Sequence, residues 1–233
     1  MRAMSYCTAL ILLAMCLLSH GESSNSGVPL TAEPHHHLAL ENAYTRVFKV
    51  EVAPQSATLM HRHDRDYLFV NLGAVELEND VLGKDPVHTK LADGQVTYTA
   101  GGFSHIARNL SQRPFRNVTV EVIRPAAAGA EDPRERERGV ELGAGVVTDI
   151  VLDNGALRAT EVRLNPGGTL PARHLGPHLV VAVTALDVRR ELKGQSRELH
   201  LKTGDVSWGQ AGLTGAAVNV GSAAATLIEI EFK

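Results

Sequence analysis

Short runs rich in Val, Ile, Thr, Tyr and Phe, each cut off by Gly, Pro, Asn or Asp, leave this chain few ways to fold. They fall at residues 44–52, 67–72, 74–77, 95–98 and 117–123, and again at 146–152, 157–164, 179–183 and 225–232. No apolar spacing of helical period links them, so these β-branched and aromatic stretches read as strands. Many short strands separated by turn residues close into a sandwich or barrel, of which the jelly roll is one solution. A length of 233 residues suffices for one large domain or two small ones, each able to bury a core. The expected fold class is all-β.

Two stretches carry chemistry. Residues 61–73 read H-R-H-D-R-D-Y-L-F-V-N-L-G and residues 94–109 read G-Q-V-T-Y-T-A-G-G-F-S-H-I-A-R-N. Alternate side chains of an extended strand share a face, which points His61 and His63 into one interior with nitrogens able to reach one ion. A turn at Gly101 and Gly102 can bring a neighbouring strand alongside and deliver His105. A single histidine on a strand is ordinarily a core or surface residue, but three inside two such frames point to a metal site. Three neutral imidazoles with open coordination positions suit one divalent transition metal, Fe, Mn, Zn, Cu or Ni, and the order of affinities does not choose among them.

These frames resemble the two signature motifs of the cupin superfamily. The second motif is met at Gly94, Gly102, His105 and Asn109, with Ala100 where the family usually has proline. The first is met at His61, His63 and Gly73, while Gln55 stands where the family has its opening glycine. The resemblance implies tandem jelly-roll-like β-barrels and a metal held by His61, His63 and His105. It also implies a carboxylate ligand, for which two readings stand. Counting back from Gly73 selects Asp66, which follows His63 more closely than the family's glutamate and is one methylene shorter; counting forward from His63 selects Tyr67. No separate general base is visible, so proton transfer is left to Asp66 or to metal-bound water.

The second set of runs reads as another copy of the same unit. Gly204, Gly212 and Asn219 repeat Gly94, Gly102 and Asn109, with Ala172 and His174 where His61 and His63 stand. His178 falls at the place of Asp66, and His105 has become Gly215. Only His174 and His178 remain as ligand candidates, so the copy is expected to be a metal-free structural repeat. The resulting division is a signal peptide over 1–21, a flexible lead over 22–34, an N-terminal unit over 35–124, a linker over 125–140 and a degenerate C-terminal unit over 141–233. His35, His36 and His37 read as a surface run ahead of the first strand.

Arg2 and the apolar run at 9–18 have the form of a secretory signal cleaved after Gly21, the run being shorter than the roughly 18 residues of a membrane span. Export to a periplasm or the medium is expected; a lipid anchor on Cys16 is disfavoured by the bulky Met15 before it. Both cysteines, Cys7 and Cys16, lie in this leader, so the mature chain has no thiol. A net charge of −3 and 4% aromatic residues give no electrostatic or stacking case for nucleic acid. The partners expected are a small-molecule substrate or ligand and, through open barrel edges, further copies of the chain. Met60, Phe69, Tyr98 and Phe103 are candidate pocket residues.

The cupin superfamily holds dioxygenases, isomerases, decarboxylases, sensors and storage proteins, so the resemblance implies a class and not a reaction. The reading it favours is an exported bicupin acting as a metal-dependent dioxygenase or related oxidoreductase on a small organic molecule; the alternative is a non-catalytic binding, sensing or structural barrel.

Overall fold

A computed structural model describes residues 27–124 and 140–233. The N-terminal unit runs β1 (Val28–Pro29), β2 (His36–Glu41), β3 (Thr45–Val52), β4 (His61–His63), β5 (Tyr67–Leu72), β6 (Val75–Val81), β7 (Val87–Leu91), β8 (Val96–Thr99), β9 (Phe103–Asn109) and β10 (Phe115–Val122). They form two sheets, β1-β4-β9-β6-β7 and β2-β3-β10-β5-β8, that face each other as a jelly-roll-like barrel.

The C-terminal unit repeats the plan with β11 (Val140–Gly143), β12 (Val146–Asp153), β13 (Leu157–Leu164), β14 (Thr169–Leu170), β15 (His174–Leu175) and β16 (His178–Ala182). It continues through β17 (Leu186–Leu192), β18 (Gln195–Leu201), β19 (Val206–Gly209), β20 (Gly212–Leu213), β21 (Ala216–Asn219) and β22 (Ala225–Phe232). Its sheets are ordered β11-β12-β13-β22-β16-β19 and β14-β21-β17-β18, with a small ladder β15-β20. Among the described residues there is no α-helix, only a 3-10 turn at Leu30–Ala32, and no helix long and apolar enough to cross a membrane.

The two units are joined through a shared core. Leu68, Val70, Val118 and Val120 of the first pack with Leu179, Val181, Ile228 and Ile230 of the second, all of them fully buried. Strands β5 and β10 are therefore covered on both faces: alternate residues fill this seam while Phe69 and Phe115 pack with Phe48, Val50 and Val52 of β3 inside the N-terminal barrel. That is why β10 reads as a nearly continuous buried run rather than a clean alternation. The seam is reciprocal. A Cβ added at Gly204 would lie 3.0 Å from Leu72, and one added at Gly94 3.4 Å from Val183, so each unit's turn glycine receives a side chain of the other.

The N-terminal lead differs from expectation over residues 27–34. Val28 pairs in parallel with His61, and Leu30 and Glu33 are buried, so this stretch is a fixed cover on β4 and not a flexible leader. Its apolar Val-Pro-Leu and the Glu33 carboxylate supply what a Ser- and Gly-rich flexible segment lacks. The expected signal peptide, Cys7, Cys16 and all but Val140 of the linker expected over 125–140 lie outside the described residues.

Candidate metal centre

Strand alternation and ladder register together assemble the site. His61 and His63 project from the same face of β4, and His105 stands directly opposite His61 in the antiparallel pair β4·β9. The pairing depends on the turn before β9, where Gly102 has φ +88° and donates its N–H to the His63 carbonyl at 2.7 Å. Gly101 lies so close to Arg65 that a Cβ would meet its carbonyl carbon at 2.4 Å, and only glycine fits there.

The three imidazoles offer ligand atoms that all lie within 4.8 Å of one another, the group of this kind among the described residues. His61 Nδ1 donates to the Leu59 carbonyl at 2.9 Å, and His105 Nδ1 donates to Asn79 Oδ1. With those protons fixed on Nδ1, the Nε2 lone pairs of both rings are free to face a shared centre, the tautomer that a metal-bound histidine takes when its other nitrogen donates to a carbonyl. His63 Nε2 lies 3.1 Å from His105 Nε2, and its own Nδ1 is buried with no partner.

Burial holds all three rings neutral. It lowers the His61 pKa to about 4, with the neighbouring His36 adding to the shift against the opposing Leu59 hydrogen bond. It lowers His63 to about 2 and His105 to about 3, in each case helped by the other histidines. Neutral, close-set imidazole nitrogens fit a divalent ion that accepts such ligands.

The site opens onto a cavity of about 250 Å³ inside the barrel. Phe69, Leu77, Leu91 and Phe103 provide apolar wall, and Thr97, Thr99, Asn117 and Thr119 provide hydroxyl and amide groups; no Lys or Arg lines it. Of the four candidate pocket residues, Phe69 and Phe103 are in this wall, whereas Met60 and Tyr98 are not.

Asp66, expected as a fourth ligand or catalytic carboxylate, is not brought to the histidines. Its Oδ2 accepts from the Tyr98 hydroxyl at 2.7 Å and its Oδ1 from the Gly101 N–H at 2.9 Å, at the surface. The short His63–Asp66 connection leaves this side chain on the outside of the turn, where it braces the Gly101–Gly102 corner. Tyr67 does line the cavity, but as a ring stacked on His63 with centroids 4.0 Å apart. Burial raises its hydroxyl to about 12 against an opposing hydrogen bond with Thr99, so it remains a neutral phenol.

The residues the sequence reading missed are His36 and Glu33. His36 is not on a surface run: it is buried, lines the cavity and lies 4.8 Å from the His61 ring centroid to centroid. Glu33 Oε2 accepts from His36 Nδ1 at 2.6 Å and Glu33 Oε1 from His35 Nδ1 at 2.8 Å, with the Leu59 N–H at 3.1 Å. Burial alone would raise this carboxyl, but these hydrogen bonds outweigh it and hold it down to about 2. The available signal was the spacing of Glu33 and His36 ahead of a β-run, where the middle histidine of three takes the inward face.

Asn109 carries a structural load. Its amide donates to the carbonyls of Val52, Ala53 and Arg113 and its oxygen accepts from Ser111, and Asn219 makes the matching bonds to Leu164, Ala223 and Gly221. Asn109-Leu-Ser and Asn117-Val-Thr have the form of glycosylation acceptors, but both asparagines are buried and neither presents its amide.

Among the described residues the C-terminal repeat assembles no histidine cluster, and its residues align differently from the sequence count. His178 stands opposite Glu231 as Tyr67 stands opposite Glu121, which makes His178 the counterpart of Tyr67 and not of Asp66. His174 is exposed, and Arg173 takes the inward position beside it.

No protein-family model and no curated protein matches the chain. Solved structures do. AerE from Microcystis aeruginosa aligns with a TM-score of 0.60 at 15% identity, over 86% of this chain and 98% of that one. Salicylate 1,2-dioxygenase from Pseudaminobacter salicylatoxidans aligns with a TM-score of 0.58 at 13% identity, over 84% of this chain and 76% of that one. The 7S globulin of Momordica charantia aligns with a TM-score of 0.60 at 14% identity, over 80% of this chain and 72% of that one. At such identities the likeness is one of fold.

Proposed function

We propose, from the tandem-cupin fold that this chain shares with those structures, that its N-terminal barrel is a metal-dependent oxidoreductase of dioxygenase type acting on a small organic molecule. The observation that carries the reading is the convergence of three neutral, buried imidazoles on the wall of a cavity inside the barrel. A divalent transition metal held by His61, His63 and His105 supplies redox or Lewis-acid chemistry when bound. The chain's own residues do the rest. The Leu59 carbonyl and Asn79 orient two of the rings, and Phe69, Phe103, Leu77 and Leu91 give the cavity an apolar wall. The hydroxyls of Tyr67, Thr97, Thr99 and Thr119 are placed to orient a substrate. With no cationic side chain in the wall, the pocket favours a substrate whose polar groups are hydroxyls or carbonyls.

Elemental analysis of untagged protein, beside a His61→Ala/His105→Ala double variant, tests the reading. About one Fe, Mn, Cu or Ni per chain, absent from the variant, together with O2 consumption on a panel of small phenols and hydroxyketones, is the expected result. Absence of metal after reconstitution in both proteins would sink it. Because the same fold also carries a 7S globulin, non-catalytic ligand binding is the second reading, and tightly held zinc without O2 uptake would favour it.

The proposal extends to export, supported by Arg2 and the apolar run at 9–18. Amino-terminal sequencing of secreted protein should begin at Glu22; an intact Met1 would overturn cleavage, and lipid on Cys16 would replace it with anchoring. Assembly with further copies is supported by the edge strand β7, exposed at four of its five residues. Sedimentation of the full chain checks it.

A further inference from the structure

The mouth of the C-terminal barrel carries a concentration of positive charge that nothing in the metal-site reading uses. Strands β17 and β18 place Arg190 directly opposite Arg197 in their ladder, with both side chains on the inward face. Like charges set directly opposite on one face of a strand pair repel, and no carboxylate relieves them: no ion pair of either residue occurs among the described residues. Carboxylates of the same hairpin turn elsewhere, Glu191 to Arg189 and Glu198 to His200.

These two arginines wall an open cleft of about 720 Å³, to which Lys193 adds a third cation at the turn. At its base the cleft narrows into a space of about 50 Å³ reached by Arg173 and His178. Arg173 uses one terminal nitrogen on Glu229 at 2.9 Å, while its Nε is buried with no partner. His178 is buried with Nδ1 donating to the Gly176 carbonyl at 2.9 Å. Glu229 is the sole carboxylate in the lining of either space, against Arg173, Arg190, Lys193 and Arg197.

The repeat explains how the cleft arose. Arg190 pairs with Ala217 at the register where Asn79 pairs with Ala107 in the N-terminal unit, so a guanidinium has replaced the amide that supports His105. The counterpart of His105 is Gly215, where a Cβ would lie 2.5 Å from the Glu191 carbonyl oxygen. A ligand histidine cannot be accommodated there without moving β17, and the space it would fill is open to Arg190.

We propose that this cleft is a second ligand site, taking a small organic carboxylate. Two facing guanidiniums suit a carboxylate held by paired N–H donors, and Leu192 and Leu213 at the rim contact a carbon body. Ligand binding removes the repulsion between Arg190 and Arg197, so the occupied site is the one for which the strand pair is built.

Titration calorimetry of the metal-stripped full chain with benzoate and with succinate tests this, at ionic strength matched with sodium chloride. Binding of at least one is expected, weakened tenfold or more in Arg190→Gln and in Arg197→Gln and unchanged in His61→Ala/His105→Ala. The ligand-free Arg190→Gln and Arg197→Gln proteins should melt at or above the temperature of the parent, because each removes a like-charge pair; this also shows that they fold. Absence of binding by both acids, equal binding by the arginine variants, or loss of binding in the histidine variant would overturn the proposal.

Discussion

At the scale of single residues, the site is controlled by which nitrogen of each histidine holds its proton. Asn79 accepts from His105 Nδ1, and its amide is the only group acting on that face of the ring among the bonds of the site. Asn79→Ala should weaken metal binding about 10- to 100-fold without removing a ligand, read by competition with a chromogenic chelator. Acid should act through the same rings. In the folded metal-free protein they stay neutral down to about 4, 2 and 3, whereas unfolded imidazole titrates near 6.5. Between these values the unfolded chain binds more protons, so stability falls as pH drops below 6.5. Glu33, held at about 2 against an ordinary 4.5, adds a further loss as pH falls below 4.5. Thermal melts in chelator from pH 7.5 to 4.5 should show this slope, and His61→Ala/His105→Ala should flatten its upper part. Gln55 illustrates how a departure from a family pattern is absorbed. Its φ of 55° is the left-handed conformation that a glycine meets without cost, and its amide offsets the strain by donating to the carbonyls of Leu110 and Ser111.

At the scale of elements, the strands that were legible are those whose residues carry the β signal themselves. Tyr67–Leu72, Leu157–Leu164 and Ala225–Phe232 occur with the expected limits because they are apolar and bounded by turns. Val87–Leu91 and Gln195–Leu201 were not legible: they are edge strands, largely exposed, and their polar sequences are held in place by β6 and β17 rather than by their own composition. The turn between β8 and β9 shows the same dependence on a neighbour. Asp66 braces it from across the barrel end, so Asp66→Ala should retain a full complement of metal while costing about 1–2 kcal/mol of stability from its two lost hydrogen bonds. Loss of metal in that variant, measured by elemental analysis, would restore Asp66 as a ligand. Gly101→Ala should lose both, since the added methyl displaces the turn that carries His105 toward His61.

At the scale of the whole molecule, the seam between the barrels makes one cooperative body of two repeats. Ile230 is fully buried among residues of both units, so Ile230→Ala should cost about 2–5 kcal/mol and shift a single unfolding transition rather than split it. Two separate calorimetric transitions would show that the units fold independently. The all-β class, the two copies and the histidine frames were readable from the chain alone, because strand period, turn residues and ligand spacing are local properties that survive in one dimension. What the tertiary structure decided is of another kind. It turned Asp66 outward and His36 inward, ordered the lead over β4, moved His178 into register with Tyr67 and set Arg190 against Arg197. Each of these depends on which strand lies beside which and in what register, and a shift of one residue in a strand exchanges its inner and outer faces. Sequence spacing names the residues able to ligate; only the pairing of distant strands determines which of their side chains meet.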